Sequence, residues 1–127
     1  MKKLLTGLTL VAAMISAASA FSATVKPTIV LVHGAFADSS SWNGVVGILE
    51  KDGYPVIAAS NPLRTLKGDA QSVADVLATI KTPIVLVGHS YGGPVISEAA
   101  YGNPNVKALV FVAAIAPEAG ESTADLA

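Results

Sequence analysis

Short apolar runs alternate with segments of helical periodicity along most of this chain, and this alternation constrains the fold most strongly. Four runs are apolar at successive positions, which is typical of strands buried on both faces of a sheet. They lie at residues 28–32, 54–59, 83–88 and 107–115. A first helix would place Trp42, Val45, Val46 and Leu49 on one face, and two more helices are predicted at residues 68–80 and 91–101.

The order of these elements predicts an α/β fold with a parallel sheet, because a helix separates each strand from the next. Right-handed crossovers would place helices on both faces of the sheet. The expected strand order puts residues 54–59 and 107–115 at its two edges. The carboxyl ends of parallel strands lie along one side of the sheet, where ligands bind in such folds. His33, Ser90 and Glu118 all follow strands there, so candidate site residues are sought on that side.

The first 20 residues predict a secretory signal peptide. Lys2 and Lys3 give a basic start, residues 4–17 are mostly apolar, and Ala18-Ser19-Ala20 has the small-x-small pattern of a cleavage site. The apolar stretch is shorter than the roughly 20 residues of a spanning helix, so a membrane anchor is the less favoured alternative. We therefore expect an exported chain of residues 21–127, periplasmic or secreted, with no stable membrane association after cleavage.

Charge and cysteine content exclude some function classes. The chain has 8 Lys and Arg against 9 Asp and Glu, a net charge of −1, and no basic cluster. Nucleic-acid binding is not expected, because it needs a concentrated basic face. The chain has no cysteine, so an exported form would be held by its hydrophobic core rather than by disulfides. Nothing in the sequence indicates a metal site or an oligomeric state.

The segment Gly88-His89-Ser90-Tyr91-Gly92 fits the pattern G-x-S-x-G and lies between the third predicted strand and the third predicted helix. In that context the pattern predicts a nucleophile elbow, a sharp turn that projects the serine hydroxyl above the sheet. Glycines two residues before and after the serine avoid collisions with neighbouring backbone. The competing interpretation is a small residue in an ordinary tight turn. We refer to residues 88–92 below as the elbow.

Two stretches carry a resemblance to a known family: "LVHGAF" with Trp42 after it, and "LVGHSYGG". The chain resembles the α/β-hydrolases, and among them it is similar to small serine esterases and to plant methylesterases and hydroxynitrile lyases. The resemblance covers residues 27 to about 121. It implies a serine nucleophile followed along the chain by an acid and then a histidine, small ester substrates, and no cofactor.

The resemblance also implies roles for residues beside Ser90. One donor of the oxyanion hole would be the backbone N–H of Tyr91, and the other would be that of Ala35, with Phe36 as the near alternative. Phe36 and Tyr91 would line the substrate pocket, and His33 would lie at the pocket and brace its loop. The competing interpretation is that Phe36 and Tyr91 are core residues and that His33 only ends a buried strand.

The sequence offers no clear base or acid for this serine. Both histidines, His33 and His89, precede Ser90, whereas the family order places the histidine last. The side chain of His89 should leave the elbow in a different direction from the Ser90 hydroxyl, and His33 is an alternative base. Glu118 is an alternative acid, and a solvated glutamate in a loop is the competing interpretation.

We therefore expect the N-terminal portion of a hydrolase, truncated after about four strands and with little ester turnover of its own. Two other classes stay open. One is an inactive or binding-only α/β protein, and the other is a lyase or a cofactor-free haloperoxidase on the same scaffold. Arg64, in the loop after the second strand, would either meet an acidic group of the substrate or remain a solvated surface arginine.

Overall fold

The computed structural model describes residues 24–118 and residue 121. The predicted signal peptide, residues 1–20, lies outside the described residues. The described chain folds into four strands and three helices in strict alternation. They are β1 (Thr28–Val32), α1 (Asn43–Lys51), β2 (Val56–Ala59), α2 (Leu66–Thr79), β3 (Ile84–His89), α3 (Gly92–Ala100) and β4 (Val106–Val112), with a short 3₁₀ turn (Ser39–Trp42) before α1.

The four strands form one parallel sheet with the order β2-β1-β3-β4. The predicted fold class and strand order are therefore confirmed. At the centre of the sheet Val30 is in register with Ile57 on one side and with Leu86 on the other. Because the direction of strand addition reverses after β2, right-handed crossovers place α1 on one face and α2 with α3 on the other.

The packed core lies between the sheet and the α2–α3 face. Alternate residues of β1 and β3 point to this face and meet the inward faces of the two helices. The fully buried members are Val30, Val32, Ile84, Leu86, Val73, Leu77, Val95 and Ile96. Burying a side chain of this size contributes about 1.5–3 kcal/mol. This face therefore holds β3 and α3 in place, and with them the turn that joins the two elements.

The α1 face is much less covered. Helix α1 has no buried residue. The predicted inward face is right for Val46 and Leu49, which are half-buried, and wrong for Val45, which is 38% exposed. Val45 is exposed because it borders an open cavity with His89 and Val112, and no described element covers that part of the sheet.

Several element boundaries differ from the prediction by one to three residues, and two of these differences have a local reason. Helix α2 begins at Leu66 rather than at Gly68, because the Thr65 hydroxyl accepts a hydrogen bond from the Gly68 N–H at 3.1 Å and caps the first turn. Strand β4 ends at Val112 rather than at residue 115, because Ala113 has a φ of 45°, which interrupts the extended backbone.

Strand β4 is the outer strand on its side of the described sheet. Leu109, Val110 and Val112 are 37%, 41% and 40% exposed, as expected for apolar residues of an edge strand. Among residues 24–118 and 121, no helix has the length and apolar character to cross a membrane.

Candidate active site

Backbone strain is concentrated where the chain leaves the strands. Four non-glycine residues have a positive φ: Phe36 at 61°, Leu63 at 54°, Ser90 at 52° and Ala113 at 45°. Each lies in the segment that follows a different strand, so all four are on the carboxyl side of the sheet. Such conformations cost about 1–3 kcal/mol each and cluster at functional sites, because only well-packed surroundings can hold them. The strain therefore marks the same side of the sheet as the sequence motifs.

The elbow is so tight that it requires glycine at its two ends. A Cβ on Gly88 would lie 2.4 Å from the carbonyl oxygen of Gly92, and a Cβ on Gly92 would lie 2.6 Å from that of Val32. Both distances are far below a permitted contact, and both neighbours are backbone atoms that cannot rotate away. The spacing of the glycines is thus a consequence of how closely β3, α3 and the end of β1 approach one another.

The turn around Ser90 is held from two sides. The Ser90 N–H donates to the carbonyl oxygen of Val112 at 3.1 Å, and the Gly93 N–H donates to the Ser90 carbonyl at 2.9 Å. A Cβ on Gly93 would lie 2.5 Å from the carbonyl oxygen of Ile115, so the segment after β4 packs directly against the start of α3. Val112 and Ile115, which lie 22 or more positions further along the chain, therefore fix the turn around Ser90.

The loop after β1 approaches the elbow closely. A Cβ on Gly34 would lie 3.1 Å from both the Cβ of Ser90 and the carbonyl oxygen of His89. Ala35 and Phe36 follow Gly34 directly in this loop. In the described part of the chain, no hydrogen-bond acceptor is found for the backbone N–H of Ala35 or of Tyr91. Backbone N–H groups without an acceptor are the kind of donor that can serve a developing oxyanion.

His33 is buried and its ring is fully engaged. The ring is 2% exposed, its Nδ1 donates to the Gly34 carbonyl at 2.9 Å, and its Nε2 accepts from the Asn61 N–H at 3.2 Å. These two partners assign the ring proton to Nδ1. Asn61 Nδ2 in turn donates to the His33 carbonyl at 3.3 Å, so the histidine braces the loops after β1 and β2 against each other.

His33 lines neither of the two cavities beside Ser90, so the structure offers its ring no contact with a substrate there. With both nitrogens in hydrogen bonds, it is also a poor alternative base. The ring of His89 packs edge-on against Trp42 at a centroid distance of 6.4 Å, in a cavity that Ser90 does not line. The two side chains diverge, as expected from the sequence of the elbow.

Two cavities flank the elbow. One has a volume of about 280 Å³ and is lined by Ser90, Tyr91, Pro94, Ala113, Ala114 and Ile115. The other has a volume of about 390 Å³ and is lined by Ala35, Phe36, Leu63, Arg64 and Tyr91. Tyr91 borders both and forms the wall between them. The predicted pocket residues Phe36 and Tyr91 are therefore brought together, with Arg64 as the charged residue of the second cavity.

Asp69 is a buried carboxylate beside this wall that the sequence did not reveal. It is 0% exposed, and its Oδ2 accepts a hydrogen bond from the Tyr91 hydroxyl at 2.7 Å, while its Oδ1 accepts from the Arg64 N–H at 3.1 Å. Burial raises the pKa of the Tyr91 phenol to about 12, helped by this hydrogen bond and by the charge of Asp69. The sequence signal that could have revealed Asp69 is its position four residues before Val73, which places it on the buried face of α2.

Glu118 lines a different cavity from the one that Ser90 lines. It lines a separate cavity with Ser97, Leu109, Phe111, Ala116 and Pro117, and its N–H donates to Glu121 Oε2 at 2.8 Å. The structure therefore gives no support to Glu118 as the acid of this serine. In the described ranges, no group of three or more His, Cys, Asp or Glu side chains could hold a metal ion.

Comparison with known proteins identifies the family. A sequence profile of the alpha/beta hydrolase family matches residues 29–127. The chain belongs to the alpha/beta hydrolase family. It is 32% identical over 117 residues to the alpha/beta hydrolase nvfD of Aspergillus novofumigatus, a match that covers 77% of this chain and 47% of that protein. It is also 32% identical over 111 residues to the putative methylesterase 11 of Arabidopsis thaliana, which covers 76% of this chain and 28% of that protein.

A solved structure supports the same assignment. The extracellular alpha/beta-hydrolase from a Paenibacillus species, described as sharing homology with tobacco salicylic acid binding protein 2, superposes with a TM-score of 0.68 at 32% identity. That match covers 78% of this chain and 45% of the other. The alpha/beta hydrolase chain described here thus spans less than half the length of each of these relatives.

Proposed function

We propose that this chain carries the nucleophile and oxyanion hole of an exported serine hydrolase that cleaves small carboxylic esters. The observation that carries the proposal is Ser90, held at a φ of 52° in a glycine-flanked turn between β3 and α3. The N–H groups of Ala35 and Tyr91 have no acceptor among the described residues, and Ser90 lines one of the two cavities that flank the elbow. The methylesterase name of one relative favours esters as the substrate class.

In the proposed reaction the Ser90 Oγ attacks the carbonyl carbon of the ester, and a base takes its proton. The carbonyl oxygen becomes an oxyanion that accepts hydrogen bonds from the N–H groups of Ala35 and Tyr91. The tetrahedral intermediate then collapses, the alcohol leaves with the proton, and water hydrolyses the acyl-serine. Loss of one oxyanion donor typically costs about 3 kcal/mol of transition-state stabilisation.

The base and the acid are expected outside the segment that matches the relatives. Neither described histidine suits the role, because His33 is buried with both nitrogens engaged and His89 points into another cavity. We therefore expect this chain alone to turn over esters slowly, and a longer hydrolase containing it to do so efficiently.

Export is the second part of the proposal. The basic and apolar segment before Ala20 supports a cleaved signal peptide, and the Paenibacillus relative is described as extracellular. Expression with the leader in a secreting bacterium should yield a chain that begins at Phe21. Intact mass of the exported fraction measures this directly, and a protein that retains residues 1–20 in the membrane fraction would contradict it.

The nucleophile is tested by reaction with a fluorophosphonate ester, which phosphonylates activated serines. Because the base is expected elsewhere, we expect slow labelling of this chain, on the peptide containing Ser90 as located by mass spectrometry, and none in Ser90→Ala. Ser60→Ala is the matched control, because Ser60 is also exposed and follows a strand on the same side of the sheet. Label on another serine, or equal labelling of Ser90→Ala, would refute the assignment.

A further inference from the structure

A fully buried carboxylate connects two loops of the candidate site. Asp69 is 0% exposed, and no basic side chain among the described residues pairs with it. Burying a charge without a paired cation is costly, so the hydrogen bonds that Asp69 accepts must compensate it. Its two acceptor bonds go to the Arg64 N–H, in the loop after β2, and to the Tyr91 hydroxyl, in the elbow after β3.

The position of Asp69 in α2 explains how the charge is tolerated. Asp69 lies in the first turn of the helix, which Thr65 caps, and a negative charge is favoured there by the helix dipole. The helix is in turn fixed by Val73 and Leu77, which are fully buried against the sheet and α3. The carboxylate is therefore a fixed point, and the two loops are tied to it rather than the reverse.

Tyr91 connects Asp69 to Ser90. Its hydroxyl donates a 2.7 Å hydrogen bond to Asp69, the residue lines both cavities beside the elbow, and its backbone follows Ser90 directly. The φ of 52° at Ser90 is a strained conformation that persists only while its surroundings hold it. A tether on the next residue restrains the same peptide unit that carries the candidate oxyanion donor.

We propose that Asp69 is a positioning residue of this hydrolase, which acts through the Tyr91 hydroxyl to hold the elbow and its oxyanion N–H in the reactive geometry. The inference rests on the proposed function, and it adds a residue that touches neither substrate nor Ser90. It differs from a simple core role because the effect of breaking the bond should be confined to the elbow. The α2 helix and the sheet remain packed without it.

Amide hydrogen exchange in the full chain distinguishes a positioning role of Asp69 from a purely structural role in the core. The Ser90 and Gly93 N–H groups report on the elbow through their bonds to Val112 and Ser90, and the Leu31 N–H reports on the centre of the sheet. In Tyr91→Phe we expect exchange at Ser90 and Gly93 to accelerate about tenfold more than at Leu31, because one hydrogen bond to a charged group is lost. Tyr101→Phe is the matched control, because Tyr101 is 82% exposed at the other end of α3.

Asp69→Asn is the conservative variant. Its amide oxygen can accept the Arg64 N–H while its amide nitrogen donates to the Tyr91 oxygen, so the tether survives with reversed direction. We expect elbow exchange in Asp69→Asn to lie close to that of the unmodified chain and well below that of Tyr91→Phe. Equal acceleration of all three amides in Tyr91→Phe, or unchanged exchange at Ser90 and Gly93, would overturn the proposal.

The rate of fluorophosphonate labelling gives a second readout. Tyr91→Phe should lower the maximal rate of Ser90 phosphonylation about tenfold, with little change in the concentration that gives half-maximal rate. Loss of affinity with an unchanged maximal rate would overturn a positioning role. If the unmodified chain does not react at all, the proposed nucleophile fails in this chain, while the exchange experiment still decides whether Asp69 holds the elbow.

Discussion

Replacement of Gly88 by alanine tests the geometry of the elbow without touching Ser90. An added Cβ would lie 2.4 Å from the Gly92 oxygen, 2.6 Å from the Gly92 carbon and 2.9 Å from the Gly93 nitrogen. All three are backbone atoms, so relief requires β3 and α3 to move apart. Overpacking of this kind typically costs about 1–3 kcal/mol. In a domain of this size each kcal/mol corresponds to a melting temperature lower by about 4–8 °C.

Gly44→Ala is the matched control, because it adds the same methyl group elsewhere. A Cβ on Gly44 meets nothing within 4 Å, and the residue lies inside helix α1. Alanine there should stabilise the chain by about 0.5–1 kcal/mol, because glycine is a poor helix residue. Thermal unfolding followed by circular dichroism measures both variants. Equal stability of Gly88→Ala and the unmodified chain would contradict the close approach of β3 and α3 at the elbow.

Three further predictions concern groups near the site and in the core. The Tyr91 phenol should titrate near pH 12 by absorbance, and its pKa should fall in Asp69→Asn. The pKa of this phenol is about 10 in the unfolded chain and higher in the folded one. The phenol therefore contributes stability that is fully present below about pH 10 and is lost as the pH rises toward 12. His33→Ala should destabilise the chain by about 1–3 kcal/mol in urea unfolding, because it leaves a buried N–H unpaired, whereas His89→Ala should change stability far less. Leu77→Ala, at a fully buried position, should cost about 2–5 kcal/mol, and a loss under 1 kcal/mol would contradict the packed α2–α3 face.

The architecture could be predicted because its signals are local and repeated. Each strand is a continuous apolar run, and each is separated from the next by a helical pattern, which leaves few topologies for a parallel sheet. The exceptions are boundaries, and they depend on single residues. The Thr65 hydroxyl lengthens α2 at its start, and the positive φ of Ala113 shortens β4 at its end.

The candidate site could be predicted only where its residues are neighbours in sequence. Gly88, Ser90 and Gly92 form a pattern whose spacing follows from one tight turn. Asp69 was missed because its contact with Tyr91 spans 22 positions, and a hydrophobic pattern carries no information about which donor a buried charge will meet. The resemblance implied that His33 braces its loop, but its partner Asn61, 28 positions away, was missed for the same reason.

The hydrogen bond from the Ser90 N–H to the Val112 carbonyl has a consequence for the order of events during synthesis. A ribosome makes the elbow sequence first and the strand that secures it afterwards. At about 5–20 residues per second, the 22 residues between them take roughly one to four seconds. For that interval the nascent chain contains Ser90 but not the Val112 carbonyl that accepts its N–H. The strained turn should therefore form only when β4 pairs with β3. The elbow and the end of β4 must therefore be completed together, because each supplies one partner of this hydrogen bond.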